Sequence, residues 1–421
     1  MTSDGLTDEA FVWIWLPGAF EPVVAGRLVR DQDRYVFNYG RSYLARPDAI
    51  AIYEPELPLR PGIIEPPAGM LIASALRDAS PDAWGRRVVL NKLAATGRLS
   101  DRAEADELLF MLESGSDRIG ALDFQSSSTR FVAREAGRAR LDDLLAAAEK
   151  VEAGVELHPA LDLALLHGSS VGGARPKALI DGGDRAYISK FARSDDHYDV
   201  VKAEFIAMRL AKLAGLDVAP VELTKAAGRD VLLIERFDRV QTGEGSARKA
   251  LVSALTLLGL DEMLARYASY QDLAEIIRRR FQKPKATLHE IFGRLVFNIL
   301  CGNTDDHARN HAAFWNGEDL FLTPAYDICP QGRAGGVATQ AMRIAESDNR
   351  SQLSVCMAAA QSFLLTEPEA REIIERQIAA IRQHWGTVCD MAELSAVDRA
   401  FFWKRQFLNA YAFEDFPGTA V

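Results

Sequence analysis

Two short polar segments interrupt an otherwise apolar and helical second half of the chain: residues 302–310, GNTDDHARN, and residues 322–328, LTPAYDI. Oxygen-bearing side chains grouped in this way suit phosphoryl transfer. That chemistry needs a carboxylate to orient an attacking hydroxyl or take its proton, and oxygen ligands for Mg²⁺ on the phosphates of ATP. Asp305 suits the first role, and Asn310 with Asp327 suits the second. The spacing from Asp305 to Asn310 is that of a catalytic loop, and an Asp after an apolar strand is where a second metal ligand enters such sites. A loop rich in Asp, Asn and His also caps helices and forms turns, so the segment alone leaves both readings open. His307 lies in the same loop; because Mg²⁺ prefers oxygen, bracing the loop by hydrogen bonds is its better reading.

Residues 168–177, GSSVGGARPK, form a second constellation. Glycines at 168, 172 and 173 let backbone N–H groups approach a polyanion. The pattern is not a Walker A motif, and a glycine-rich turn by itself is as easily a hairpin. Its value comes from two residues downstream: Lys190 ends the strand candidate YISKF, and Glu204 lies one turn inside a helix. In kinases a strand lysine neutralises ATP phosphates while a helix glutamate orients it; here the pairing rests on order along the chain. Residues 232–238, LLIERFD, stand where a kinase passes from its β-rich to its helical lobe. Backbone groups there can bond adenine, although an ordinary buried strand with a charged end fits the same letters.

The remaining chain frames these segments. FVWIWL (11–16), PVVAGRLV (22–29) and RYVFNY (34–39) are short apolar or alternating runs that predict a small sheet, and the proline-rich breaks at 55–61 and 64–67 mark turns. Helices are predicted over 139–153 and over 199–214, the latter with Val201, Phe205, Met208 and Leu213 near one face and a stop at Gly215. Beyond about residue 240 the pattern is mainly helical to the end, apart from a loop-rich region at 302–338. The expected division is 1–115 as an N-terminal subdomain, 116–240 with the glycine-rich loop and ATP-binding strands, and 241–421 as a helical lobe.

A chain of 421 residues accommodates such an enzyme. With 48% hydrophobic and 26% charged residues it is neither disordered nor collagen-like. No apolar run approaches the roughly 20 residues of a membrane helix, and the start MTSDGLTDEA lacks the basic and apolar stretches of a secretory signal, so a cytoplasmic location is expected. Cys301, Cys329, Cys356 and Cys389 show no CxxC spacing, which argues against a zinc site or a disulfide framework. The formal charge of -10 offers no general attraction to a phosphate backbone. Any link to nucleic acid is expected through a partner.

The ordered set SSVGGARPKAL, YISKF, AEFIAMRLAKLAGL, IERFDR, NTDDHARN and LTPAYDI resembles the HipA family of serine/threonine kinase toxins. The resemblance extends upstream to SYLARPDAIAI (42–52), SPDAWGR (80–86) and SGSDRIGAL (114–122), so it covers nearly the whole chain. It implies an α+β, two-lobed kinase-like fold: a β-rich N-terminal lobe with an extra N-terminal subdomain, an all-helical C-terminal lobe, and an ATP cleft between them. By position it implies Asp305 as catalytic aspartate, Asn310 and Asp327 as Mg²⁺ ligands, Lys190 on the ATP phosphates, and Glu235 and Phe237 flanking adenine. Ser170, Val171, Gly172, Gly173, Lys177 and His307 complete the nucleotide-binding set it implies. Ser170 matches the family's autophosphorylated serine, with Ser169 as second candidate; phosphate there would add about -1.5 to -2 of charge and repel ATP. The resemblance further implies an aminoacyl-tRNA synthetase, often the glutamyl enzyme, as substrate, growth arrest as outcome, and a small helix-turn-helix antitoxin of HipB type that carries the contact with operator DNA. There is no DFG: Asp327 is followed by Ile328 and Cys329, as in the broader family that also resembles lipid kinases. A small-molecule or lipid kinase, or a non-catalytic co-repressor module, are the alternatives.

Overall fold

Alternating burial along three early strands builds the first sheet. The computed structural model of the chain describes residues 8–99, 106–134, 140–155, 172–243, 245–333 and 335–416. By its internal contacts the chain forms two units, Met1–Arg193 with Thr224–Val252 and Phe314–Glu318, and Ser194–Leu223 with Ser253–Ala313 and Asp319–Val421.

In the first unit, Glu9–Ile14 (β1), Val23–Asp31 (β2), Arg34–Tyr39 (β3) and Leu122–Gln125 (β4) pair antiparallel in the order β3-β2-β1-β4. The first three are the runs expected from the sequence; β4 arrives from far along the chain and closes the sheet beside β1. Val12, Ile14, Leu28 and Phe37 point into its core, as a period of two requires. Of the longer helices in this unit, Ala83–Ala95 (α1) and Leu141–Glu152 (α3) lead away from this sheet, and Glu107–Glu113 (α2) packs on it.

The second sheet of this unit has the order β5-β6-β8-β7, from Lys177–Asp181 (β5), Ala186–Phe191 (β6), Val221–Ala226 (β7) and Arg229–Glu235 (β8), with the unit taking β7 from Thr224 on. Trp84 and Val88 of α1 and Leu144, Leu145 and Ala148 of α3 pack with Ala178, Phe191 and Val231 of this sheet. Each large side chain buried there stabilises by roughly 1.5–3 kcal/mol, so a charge at Leu144 would detach α3. The Trp84 indole also donates to the Lys177 carbonyl at 3.0 Å, which fixes where β5 begins.

Where helix is expected beyond residue 240, the chain first makes a hairpin, Arg239–Thr242 (β9) with Gly245–Arg248 (β10). Four-residue strands carry too little periodicity to be read from sequence. Trp315 ties the short piece Phe314–Glu318 to this unit, its indole donating to the Ala51 carbonyl at 2.8 Å.

The second unit is mainly helical, but it carries the strand Leu320–Leu322 where the resemblance implied helices alone; three residues are too few to show a period of two. Val200–Leu213 (α4) is capped by the Asp199 carboxylate on Lys202 N–H, and it buries Val201, Phe205 and Met208. Leu213 departs from the expected apolar face: as the last residue of the helix it is 43% exposed. Tyr270–Arg280 (α5), Pro284–Cys301 (α6) and Glu367–Met391 (α7) complete the frame. A Thr366/Glu369 capping box starts α7, and Gln377 on it donates to the Gly293 carbonyl of α6 at 2.8 Å. From Ile291 to Cys301 helix α6 is buried all round, and its one buried charge, Arg294, is paired with Glu290 at 2.9 Å. It ends at Gly302, whose φ of +74° is left-handed; a Cβ there would stand 2.8 Å from the Gln406 carbonyl oxygen, so glycine sets the exit of the chain into the polar loop. The four cysteines are buried free thiols. Among the described residues no helix is long and apolar enough to cross a membrane.

Candidate active site

The loop after α6 is pinned before it presents anything. Asn303 N–H donates to the Asn298 carbonyl at 2.8 Å and its side-chain amide to Asn298 Oδ1 at 2.9 Å, while Gln340 donates to the Asn303 carbonyl at 3.1 Å. Asp306 is the deep anchor, 1% exposed. Its carboxylate lies 3.0 Å from His311 Nε2 and accepts the Tyr270 hydroxyl, which is itself 3.1 Å from His311 Nε2. Burial would push the Asp306 carboxyl up, but the facing His311 and these hydrogen bonds hold it below its ordinary value. Burial and the Asp306 charge push the Tyr270 hydroxyl well up.

With Asp306 turned inward, its neighbour Asp305 is exposed. Desolvation raises its carboxyl, against the pull of His307, and the charges of Asp327 and Asp306 raise it further. Asn310 closes the turn. Its backbone N–H donates to the His307 carbonyl at 2.8 Å, and its side-chain amide donates to the Asp305 carbonyl at 3.1 Å. That amide assignment leaves Oδ1 as the acceptor a cation would use. His307 braces the turn through its backbone, donating to the Asp305 carbonyl at 2.9 Å, while its Nδ1 has no hydrogen-bond partner among the described residues.

Asp327 returns to this turn because its segment is sewn to the loop. Thr323 donates from both its N–H and its hydroxyl to the Ala312 carbonyl at 3.1 Å, and the Tyr326 hydroxyl donates to the Arg309 carbonyl at 2.6 Å. Asp327 itself has a φ of +59°. Left-handed backbone is uncommon outside glycine but least costly for Asn and Asp. Strain of this kind gathers at functional sites.

The other candidates lie in the first unit. The turn before β5 needs glycine at 173: its φ is +113°, and a Cβ would collide with the Lys177 ammonium. That ammonium donates to the Gly172 carbonyl. Across β5 and β6, Lys177 stands directly opposite Lys190. The lysines alternate away from the face covered by α1 and α3, where Ala178 pairs with Ser189 and Phe191 with Val231. On β8, Glu235 pairs with Arg185 at 2.9 Å, and the Phe237 ring meets Phe314 at a centroid distance of 5.9 Å. Ser169, Ser170 and Val171 lie outside the described residues. Glu204 is buried on α4 in the second unit.

Sequence reasoning did not single out Asp306, Tyr270 or His311. The Asp doublet at 305–306 was the local signal for the first; Tyr270 is 36 residues from Asp306 and carried none.

A sheet-bearing unit with a glycine turn and opposed lysines, and a helical unit that presents Asp305, Asn310 and Asp327 from one sewn loop, define an α+β, kinase-like fold. A chain of the solved toxin–antitoxin complex of HipA, HipB and operator DNA from Shewanella oneidensis MR-1 shares it: the match covers 96% of this chain and 97% of that one with a TM-score of 0.70, at 20% identity. The HipA-like C-terminal domain matches residues 169–385 and the HipA N-terminal domain residues 17–125; the chain belongs to the HipA family. Among curated relatives it is 26% identical over 183 residues to the serine/threonine-protein kinase toxin HipA of Shewanella oneidensis, covering 38% of this chain and 42% of that protein. It is 32% identical over 131 residues to a protein of Sinorhizobium fredii named as a kinase, covering 30% of this chain and 31% of the relative. The matches thus span well under half the length of these relatives.

Proposed function

We propose that the chain is an ATP- and Mg²⁺-dependent protein serine/threonine kinase that acts as the toxin of a toxin–antitoxin pair. The observation that carries this reading is the presentation of Asp305, Asn310 and Asp327 by one hydrogen-bonded loop in a chain of the HipA family. The donor set fits the metal. Asp327 and Asn310 Oδ1 offer the oxygen ligands that Mg²⁺ prefers, and a cation among them would offset the desolvation and, with it, the Asp327 and Asp306 charges that raise the Asp305 carboxyl. When bound, Mg²⁺ neutralises charge on the transferring phosphate. Asp305 orients the acceptor hydroxyl and takes its proton. Lys190 is assigned to the triphosphate, with Lys177 holding the glycine turn, and the backbone of 235–237 is assigned to adenine.

The acceptor we propose is a serine or threonine of a protein, with an aminoacyl-tRNA synthetase, the glutamyl enzyme foremost, as substrate and growth arrest as the result. Ser170, with Ser169 beside it, is the proposed autophosphorylation site. A small helix-turn-helix antitoxin of HipB type is the proposed partner, and the formal charge of -10 leaves the contact with DNA to it. The proposed location is the cytoplasm.

Phosphoproteomics of cells expressing wild type against Asp305→Ala tests the reading, together with labelled ATP and purified protein. Label should enter a single protein substrate and the chain itself only with the wild type. Label confined to lipid or small molecules would redirect the acceptor. A purified chain that neither binds MgATP nor labels itself would defeat the kinase reading in favour of a co-repressor module.

A further inference from the structure

The polar segment after β8 is gripped by the loop that precedes β4. Asp117 Oδ1 lies 2.9 Å from Arg236 Nη1 and 2.6 Å from Arg239 Nη2. Asp238 Oδ2 lies 2.9 Å from each of the same two arginines and accepts the Gly120 N–H at 2.8 Å. Arg236 donates onward to the Arg118 carbonyl at 2.7 Å, and Arg239 to the Gly120 carbonyl at 3.1 Å. The side chains of Arg236, Asp238 and Arg239 are 0%, 2% and 5% exposed, while that of Asp117 is 29% exposed.

Burying charges costs free energy unless each is paired, and removing one partner of a buried pair leaves the other uncompensated, so the partners hold one another in place. Here every carboxylate meets two guanidiniums. The geometry so fixed is that of the backbone leaving β8, which is held on its other side by Arg236 N–H donating to the Ala186 carbonyl at 2.8 Å. Glu235 and Phe237 flank the gripped Arg236.

We propose that Asp117 is a positioning residue for the nucleotide base: through Arg236 and Arg239 it sets the backbone of 235–237 in the register that receives adenine. The inference rests on the assignment of that segment to adenine in the proposed function. It gives the N-terminal region, through the loop at 117–120, a part in nucleotide selection.

The test compares wild type, Asp117→Asn and Asp117→Glu in the full chain. Asp117 is partly exposed, so these variants are gentler than changes at Asp238. Titration calorimetry with MgATP, MgGTP and inorganic tripolyphosphate is read beside autophosphorylation kinetics. Asp117→Asn should weaken MgATP binding and raise KM for ATP by roughly tenfold, leave tripolyphosphate affinity and kcat within about twofold of wild type, and narrow the preference for ATP over GTP. Asp117→Glu should recover part of the loss. Parallel weakening of tripolyphosphate would mean general loosening and would overturn the inference, as would unchanged MgATP affinity in Asp117→Asn. A wild-type chain that binds no MgATP at all would instead remove the nucleotide reading on which the inference rests.

Discussion

Asn310 donates its side-chain amide to the backbone carbonyl of Asp305, 3.1 Å away, so the proposed metal ligand also fixes the backbone beneath the proposed catalytic carboxylate. The two roles separate by substitution. Asn310→Ala removes both the oxygen and the donor, and Asn310→Asp keeps an oxygen but loses the donor and adds a charge beside Asp305. Both should lower phosphotransfer by about 10²-fold, and only the alanine variant should shift the Mg²⁺ requirement strongly upward. Initial rates across a Mg²⁺ titration check this; rates within about twofold of wild type would count against the assignment.

Asp327 repels Asp305 and holds a left-handed backbone. Asp327→Asn keeps a residue that tolerates that backbone and removes the repulsion, so it should raise Tm in the absence of nucleotide while abolishing activity. Asp327→Val removes the same charge but strains the backbone and should lower Tm. Differential scanning fluorimetry of the pair beside wild type decides the matter: equal Tm values for the two variants would exclude the strain effect, and an Asp327→Asn Tm no higher than that of wild type would exclude the repulsion effect.

Tyr270→Phe keeps the ring and deletes one of the partners of the buried Asp306 carboxylate. The loss should cost about 1–3 kcal/mol in urea unfolding and slow phosphotransfer, because the same anchor orients the loop that carries Asp305. A variant with lowered stability but unchanged kcat would confine Tyr270 to the core.

Glu56 is 8% exposed and caps the helix Ser74–Arg77, accepting the Ala75 N–H at 2.8 Å. Burial raises its carboxyl to about 7 from 4.5. Because the folded state holds a proton that the unfolded chain releases, the stability from this group is present below about pH 4.5 and is lost as pH rises toward 7, by roughly 2–3 kcal/mol. Glu56→Gln should flatten that slope and stabilise the protein at pH 8. A chemical-denaturation series from pH 5 to 8 checks the sign.

The strands at 11–16, 22–29 and 34–39 and the helices at 139–153 and 199–214 were legible because burial on one face imposes a period on neighbouring letters. The hairpin β9–β10 was not, since strands of four residues carry almost no period. The candidate site divides the same way. Asp305, Asn310 and Asp327 stand in short motifs whose oxygen chemistry is local. Tyr270, His311 and the Asp117–Arg236–Asp238–Arg239 network are polar residues whose partners lie elsewhere in the chain.

By itself the sequence determined the residue types, their order and the local turns: an oxygen-rich loop after an apolar helix, a glycine turn before a lysine, an aspartate doublet. Only the tertiary structure decided which aspartate of the doublet is buried against Tyr270 and which is exposed beside Asp327. It also decided that Lys177 faces Lys190 and that Asp117 grips the end of β8. The reason is physical. Side-chain type and spacing are properties of the chain, whereas desolvation and the approach of distant charges exist only once packing has brought the partners together.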